Sequence, residues 1–273
     1  MSHHQVWFIT GSSSGLGRTM TEHVLDKGDI VVATLRSPEL DVSNAQEIKN
    51  AFAAAVERFG RIDAVFNNAA YCILGEAERA MFDVNLWGAI NVSKEAVRVF
   101  REVNKPAGGR LLQISSVAGI VGVPGIAYYC AAKSGLNAFS EALSREVDPD
   151  WNIKIVIVEP GALRTPALRK TVRIPSHPAY LNNKAMLAQR EAHSVDDWPW
   201  MADTAKAADI LHRIAASPDP PLYLPLGTDA VDFARAKYPQ MVEATDAVVG
   251  LSEELRVEMT DVPAISAGAM RLG

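Results

Sequence analysis

Residues 5–27 read QVWFITGSSSGLGRTMTEHVLDK, and the pattern changes twice within them. Gln5 to Ile9 is an apolar run rich in aromatic and β-branched residues, the composition of a buried strand. Glycines and hydroxyls follow, and Gly17 to Lys27 reads as a helix. Strand, glycine-rich turn and helix in that order form an anion cradle. Gly11, Gly15 and Gly17 let the backbone turn tightly and approach a ligand. The free N–H groups and dipole of the helix start attract a pyrophosphate, with Ser13 and Leu16 in the same loop. An ordinary capped Ser/Gly turn has a similar composition, so the position between strand and helix carries the argument.

Working outward, Asp29 to Leu35 reads as a second parallel strand that closes a βαβ unit. The residue ending that strand lies near the adenosine ribose. An acidic side chain there would accept from a 2′-hydroxyl, whereas Leu35 followed by Arg36 admits a 2′-phosphate. This predicts NADP(H), with NAD(H) the weaker alternative. Only a few residues then separate Arg36 from Leu40-Asp41-Val42, too few for a helix and a strand. Asp41 is placed either to accept from an adenine amino group or, with Ser43, to cap the helix expected over 44–59, which Gly60 stops. A strand over 61–66 ends in Asn67-Asn68-Ala69-Ala70, and Asn68 and Ala69 there face the ligand crevice. Residues 76–104 read as largely helical around Asn85, whose amide needs partners among apolar neighbours. The pattern predicts one α/β domain over residues 1–273: a Rossmann-type, doubly wound parallel sheet flanked by helices.

The chemistry lies in 111–133, LLQISSVAGIVGVPGIAYYCAAK. On a helix Lys133 falls one turn after Tyr129 on the same face, so an ammonium stands near a phenol and favours the phenolate. Ser116 supplies a hydroxyl at the end of the strand 110–114. Ser115 and Tyr128 are adjacent decoys, since Tyr128 is rotated about 100° away from the lysine face. An amphipathic helix is expected over 131–147 and a strand over 151–158. Pro160 and Gly161 end that strand, after which backbone N–H groups around Leu163 and the Thr165 hydroxyl can face a carboxamide. Residues 163–200 read as a loop-rich substrate wall or lid, 203–216 as a helix, 220–226 as a last strand, and 262–273 as a loosely ordered tail.

The chain of 273 residues carries 27 Lys and Arg against 32 Asp and Glu, a net charge of -5. That balance argues against a nucleic-acid or anionic-membrane surface and for a small-molecule ligand. Cys72 and Cys130 are too few for a disulfide framework, and no apolar segment marks a membrane span, so the expected location is cytoplasmic. The histidines lack ligand spacing, and no metal site is expected.

With these residues in place, the sequence resembles the short-chain dehydrogenase/reductases over roughly residues 5–227. Thr10 to Gly17 matches the family's Thr-Gly-x-x-x-Gly-x-Gly loop, and Asn67 to Ala70 its Asn-Asn-Ala-Gly. Asn85, Ser116, Tyr129 and Lys133 match its catalytic tetrad, and Pro160-Gly161 with Thr165 its nicotinamide segment. The run Val31 to Arg36 is most similar to NADP(H)-using members related to 17β-hydroxysteroid and retinol dehydrogenases. The resemblance implies hydride transfer between nicotinamide and a secondary alcohol or ketone. In it Tyr129 is the general acid/base, Lys133 lowers its pKa and binds the ribose, Ser116 donates to the carbonyl oxygen, and Asn85 completes a water-mediated proton path. It also implies a homodimer or homotetramer. The alternative is a non-catalytic dinucleotide sensor or scaffold on the same fold, against which the intact tetrad speaks. Two departures stand out: Ala70 replaces a glycine, and the connections at 37–40 and 75–80 are each shorter than a helix-containing link by about ten residues.

Overall fold

The first strand, β1, is Val6–Ile9, and three of its four apolar side chains divide between two cores. Trp7 and Ile9 enter one and Phe8 the other, as the two-residue period of a strand requires. A parallel sheet covered on both faces needs apolar residues at every position, so such a strand shows no alternation in its sequence.

The computed structural model describes residues 4–35, 40–74, 80–192 and 201–256. After β1 come α1 (Gly15–Asp26), β2 (Ile30–Ala33), α2 (Ala45–Phe59), β3 (Ala64–Asn67), β4 (Ile73–Leu74), α3 (Ala80–Phe82) and α4 (Ala89–Arg98). The second half holds β5 (Gly109–Ile114), α5 (Ala127–Glu146), β6 (Ile153–Pro160), α6 (Ala167–Lys170), β7 (Val172–Arg173), α7 (Lys184–Ala192), α8 (Thr204–Ala216), β8 (Tyr223–Leu226), α9 (Thr228–Asp246) and α10 (Val249–Glu253). The main sheet runs β2-β1-β3-β5-β6-β8 with every pair parallel. Strand order reverses at β1, so the ends of β1 and β3 flank the crevice where such sheets bind ligands. One core joins α1 and α8 to the sheet through Met20, Val24, Ala208 and Leu211; the other joins α2 and α4 through Ile48, Phe52, Val92 and Ala96.

Several expectations shift at their boundaries for local reasons. The strand expected at 151–158 begins at Ile153, because Pro149–Trp151 forms a 3-10 turn and Asn152 takes the left-handed conformation at φ 51°. Asn44, rather than Ser43 or Asp41, caps α2: its side chain accepts from the backbone of Gln46 and Glu47, and Glu47 accepts from its amide in return. Gly60 ends that helix at φ +78°. The lid region contains α6 and α7, and β7 pairs in parallel with β4 as a separate two-stranded sheet. Such two-residue strands leave no periodic trace.

Among the described residues, no strand pairs with the outer edge of β2. Leu40 and Val42 instead pack with α2 in the second core. Arg36 and most of the two short connections, 36–39 and 75–79, lie outside the described residues. The chain divides into a large unit, residues 1–234, and a small one, residues 235–273. The large unit contains both sheets and both cores, and the described part of the small one is helical.

Candidate active site

The glycine loop leaves β1 through Thr10, which is fully buried. Its hydroxyl accepts from the backbone N–H of Asn68 at 2.8 Å and of Ala69 at 2.9 Å, while the Asn68 amide donates to the Thr10 carbonyl at 3.0 Å. Asn68 and Ala69 therefore hold the loop in place. The loop itself turns at Gly11 (φ +69°) and Gly15 (φ +57°). At Gly17 a Cβ would collide with the Gly11 carbonyl, so α1 approaches the loop only through a glycine. Ser13 is exposed on the loop, whereas the Leu16 side chain packs into the core and leaves only its backbone to a ligand. Ala70 is exposed, so its extra methyl group causes no crowding.

Helix α1 starts without a side-chain cap and without an acid in its first turn. An uncapped N-terminus above a glycine-lined cradle fits the diphosphate of a dinucleotide. Towards the expected adenosine end, Leu35 is half-buried. The Asp41 carboxylate accepts from the Ser43 N–H at 2.9 Å and hydroxyl at 2.8 Å, which makes it part of the turn into α2.

At the other end of the crevice, β6 finishes in Pro160. The Gly161 N–H donates to the Leu226 carbonyl at 3.0 Å and the Ala162 N–H to the Asp229 carboxylate at 2.7 Å. These two N–H groups at the end of β6 are spent inward, and Asp229 is a loop-holding residue the sequence did not single out. Its only signal is its place in Gly-Thr-Asp at the opening of α9. Leu163 is half-buried and bridges to Ala202, and Thr165 lies in van der Waals range of the Gly15 position.

The proton-handling groups meet where β5 ends and α5 begins. The Ser116 hydroxyl accepts from the Ala118 N–H at 3.1 Å and lies near the Tyr129 phenol. Lys133 is buried; its ammonium donates to the Ile114 carbonyl at 2.7 Å and stands 5.8 Å from the centre of the Tyr129 ring. Burial pulls that lysine down to about 8. The expected lowering of the tyrosine is absent, because burial, with the nearby Cys72 thiol, raises the phenol above its usual 10 despite the opposing influence of the Ser116 hydroxyl. Tyr128 is exposed and packs edge-on against Phe82, and Ser115 turns away to the Lys133 carbonyl. Asn85 is fully buried in a π-helical turn, Asp83–Gly88. Its side chain donates to the Tyr71 carbonyl at 2.7 Å and accepts from the Tyr71 N–H at 3.0 Å, so its amide ties the π-helical turn to the backbone at Tyr71.

Behind the site lies a further ionisable group, Glu159, 1 % exposed at the end of β6. It accepts from the Asn137 amide at 2.7 Å, and burial pushes it up to about 7. Among the described residues, no group of three or more His, Cys, Asp and Glu could hold a metal ion.

Comparison with known proteins agrees with this geometry. The sequence profile of the short chain dehydrogenases matches residues 37–174. An uncharacterized oxidoreductase of Schizosaccharomyces pombe is 36% identical over 89% of this chain and 89% of its own. An oxidoreductase of Botryotinia fuckeliana is 33% identical over 89% and 95%. A solved short-chain dehydrogenase from Streptomyces avermitilis superposes with a TM-score of 0.83 at 29% identity, covering 93% of this chain and 100% of that one. More distant solved structures share the fold, among them a Burkholderia cenocepacia short chain dehydrogenase with NADP (22% identity, TM-score 0.66) and a Brucella melitensis reductase with NADH (21%, 0.65). A glycine cradle at the strand reversal, a Ser-Tyr-Lys cluster beside it and relatives matched along nearly their whole length lead to one conclusion: the chain belongs to the short-chain dehydrogenase/reductase family of oxidoreductases.

Proposed function

We propose that the protein is an NADP(H)-dependent oxidoreductase that interconverts a secondary alcohol and a ketone on an apolar small molecule. The observation that carries this reading is the buried Lys133 ammonium 5.8 Å from the centre of the Tyr129 ring, with the Ser116 hydroxyl near the phenol. The nicotinamide supplies or accepts the hydride. In the reductive direction Tyr129 gives its phenolic proton to the carbonyl oxygen, and the Ser116 hydroxyl donates to the same oxygen as charge develops on it. Burial keeps the phenol protonated at neutral pH, which suits an acid awaiting a ketone. The Lys133 charge then stabilises the phenolate until solvent returns a proton.

The cofactor preference rests on Leu35, which offers no carboxylate to a ribose 2′-hydroxyl. Solved relatives with the same fold hold either NADP or NADH, so the fold accepts both. Half-buried Ile120, Val121 and Val123 favour an apolar substrate. The reading includes a cytoplasmic homodimer or homotetramer. Among the described residues, no helix is long and apolar enough to cross a membrane.

The test follows nicotinamide absorbance over a panel of ketones and alcohols with Tyr129→Phe. The variant keeps cofactor binding and loses at least about a thousandfold in turnover, the upper range for removing an acid/base. Turnover within about tenfold of the parent rejects the role of Tyr129.

A further inference from the structure

The ladder between β6 and β8 ends where the expected nicotinamide segment begins. Pro160 is the last β6 residue in register with β8, opposite Leu226, and the Gly161 N–H closes the ladder on the Leu226 carbonyl at 3.0 Å. The chain leaves β8 at Gly227, φ +115°. The next peptide of the segment has no strand to bind, and its Ala162 N–H donates to the Asp229 carboxylate at 2.7 Å. That carboxylate lies in a slot between two glycines, since a Cβ on Gly161 or on Gly227 would collide with it. Asp229 also stands in the first turn of α9, where the helix dipole favours a negative charge. Its place is therefore fixed from three sides.

The direction of Leu163 follows from this anchor. The Ala162 carbonyl accepts from the Ala202 N–H at 2.9 Å, and the Arg164 N–H donates to the Ala202 carbonyl at 3.0 Å. Successive peptide groups of an extended segment alternate in direction, so the N–H and carbonyl of Leu163 face away from Ala202. Among the described residues, neither has a hydrogen-bond partner. Two residues on, Thr165 packs against the Gly15 position of the cofactor loop.

We propose that Asp229 is a positioning residue for hydride transfer: it holds the Gly161–Ala162 peptide so that the Leu163 backbone presents its N–H and carbonyl to the carboxamide of the nicotinamide. The proposal rests on the dinucleotide reading above and adds a residue 67 positions after the peptide it holds. Asp229 acts through Ala162 and touches neither cofactor nor substrate. Its loss frees the nicotinamide ring and leaves the adenosine half of the cofactor, at the other end of the crevice, as it was. The carboxamide is common to NADP(H) and NAD(H), so both cofactors respond alike.

The test compares Asp229→Ala and Asp229→Asn with the parent chain in turnover with NADPH and NADH. It adds equilibrium binding of 2′-phospho-ADP-ribose and ADP-ribose, the same cofactors without their nicotinamide. Asp229→Ala lowers kcat by at least about tenfold, the scale of a reacting ring held out of line, while both fragments bind within about twofold of the parent. Asp229→Asn keeps an acceptor oxygen for the Ala162 N–H and restores most of the turnover. A merely structural residue would weaken the fragments as well, so equal losses in turnover and fragment binding overturn the proposal, as does an Asp229→Ala chain that does not fold. Turnover by Asp229→Ala within about threefold of the parent also overturns it, and so does an Asp229→Asn as slow as Asp229→Ala. Each of these leaves the dinucleotide reading standing. If the parent binds neither fragment and turns over neither cofactor, that reading fails and the proposal with it.

Discussion

Glu159 and Asn137 show how one proton can govern a buried contact. The Asn137 amide donates to one Glu159 oxygen, while the other Glu159 oxygen and the Asn137 carbonyl oxygen are buried without a partner. With the carboxylate ionised, both are acceptors lacking a donor. A proton on Glu159 supplies the donor, in agreement with a carboxyl raised from 4.5 to about 7 by burial. The folded state then holds this proton more tightly than the unfolded chain. Its stabilising effect is fully present below pH 4.5 and is lost as pH rises through about 7, to an extent of roughly 3 kcal/mol for a buried acid shifted this far. Gln carries the missing donor permanently. Glu159→Gln should match the parent in urea unfolding at pH 5 and exceed it at pH 8. Parallel pH profiles for the two proteins would show that this carboxyl does not bind its proton more tightly on folding.

Among the elements, β1, the glycine loop and α1 act as one part, because Gly17 permits a close approach that no other residue allows. Gly17→Ala drives a methyl group into the Gly11 carbonyl and the Asn68 amide, so the backbone of the loop must shift. Overpacking of this kind costs about 1–3 kcal/mol. The variant should melt several degrees lower and bind dinucleotide weakly. Gly122→Ala, whose methyl group meets nothing within 4 Å, should melt like the parent and serves as the control. Equal melting of the two variants would show that the loop yields. The sequence made this part legible, since a strand, three glycines and a helix are local and periodic; the helix carrying Tyr129 and Lys133 was legible for the same reason. What stayed hidden depends on distant partners. Asp229 reaches Ala162 across 67 residues and Lys170 reaches Ser14 across 156. The raised phenol of Tyr129 was hidden too, because sequence spacing reports the lysine charge but not the loss of water around the ring.

At the scale of the whole molecule, both cores of the large unit are built on the same strands. Trp7 and Phe66 belong to the α1–α8 side, and Phe8 and Val65 to the α2–α4 side. Neither face can come apart without exposing the sheet that supports the other, so the unit spanning residues 1–234 should unfold in one cooperative step. The cofactor crevice opens at the ends of those shared strands, so a ligand there stabilises both cores together. At a hundredfold excess over its dissociation constant a ligand adds about 2.7 kcal/mol, which raises the melting temperature of a unit this size by roughly 5–10 °C. On the cofactor preference proposed above, Leu35 favours NADP(H), since it withholds the carboxylate that would favour NADH and does not repel a 2′-phosphate. Scanning calorimetry at equal, near-saturating concentrations should therefore show a single main transition that moves further with NADPH than with NADH. A larger shift with NADH would reverse the cofactor assignment. A shift of only part of the transition would show that the two faces unfold separately.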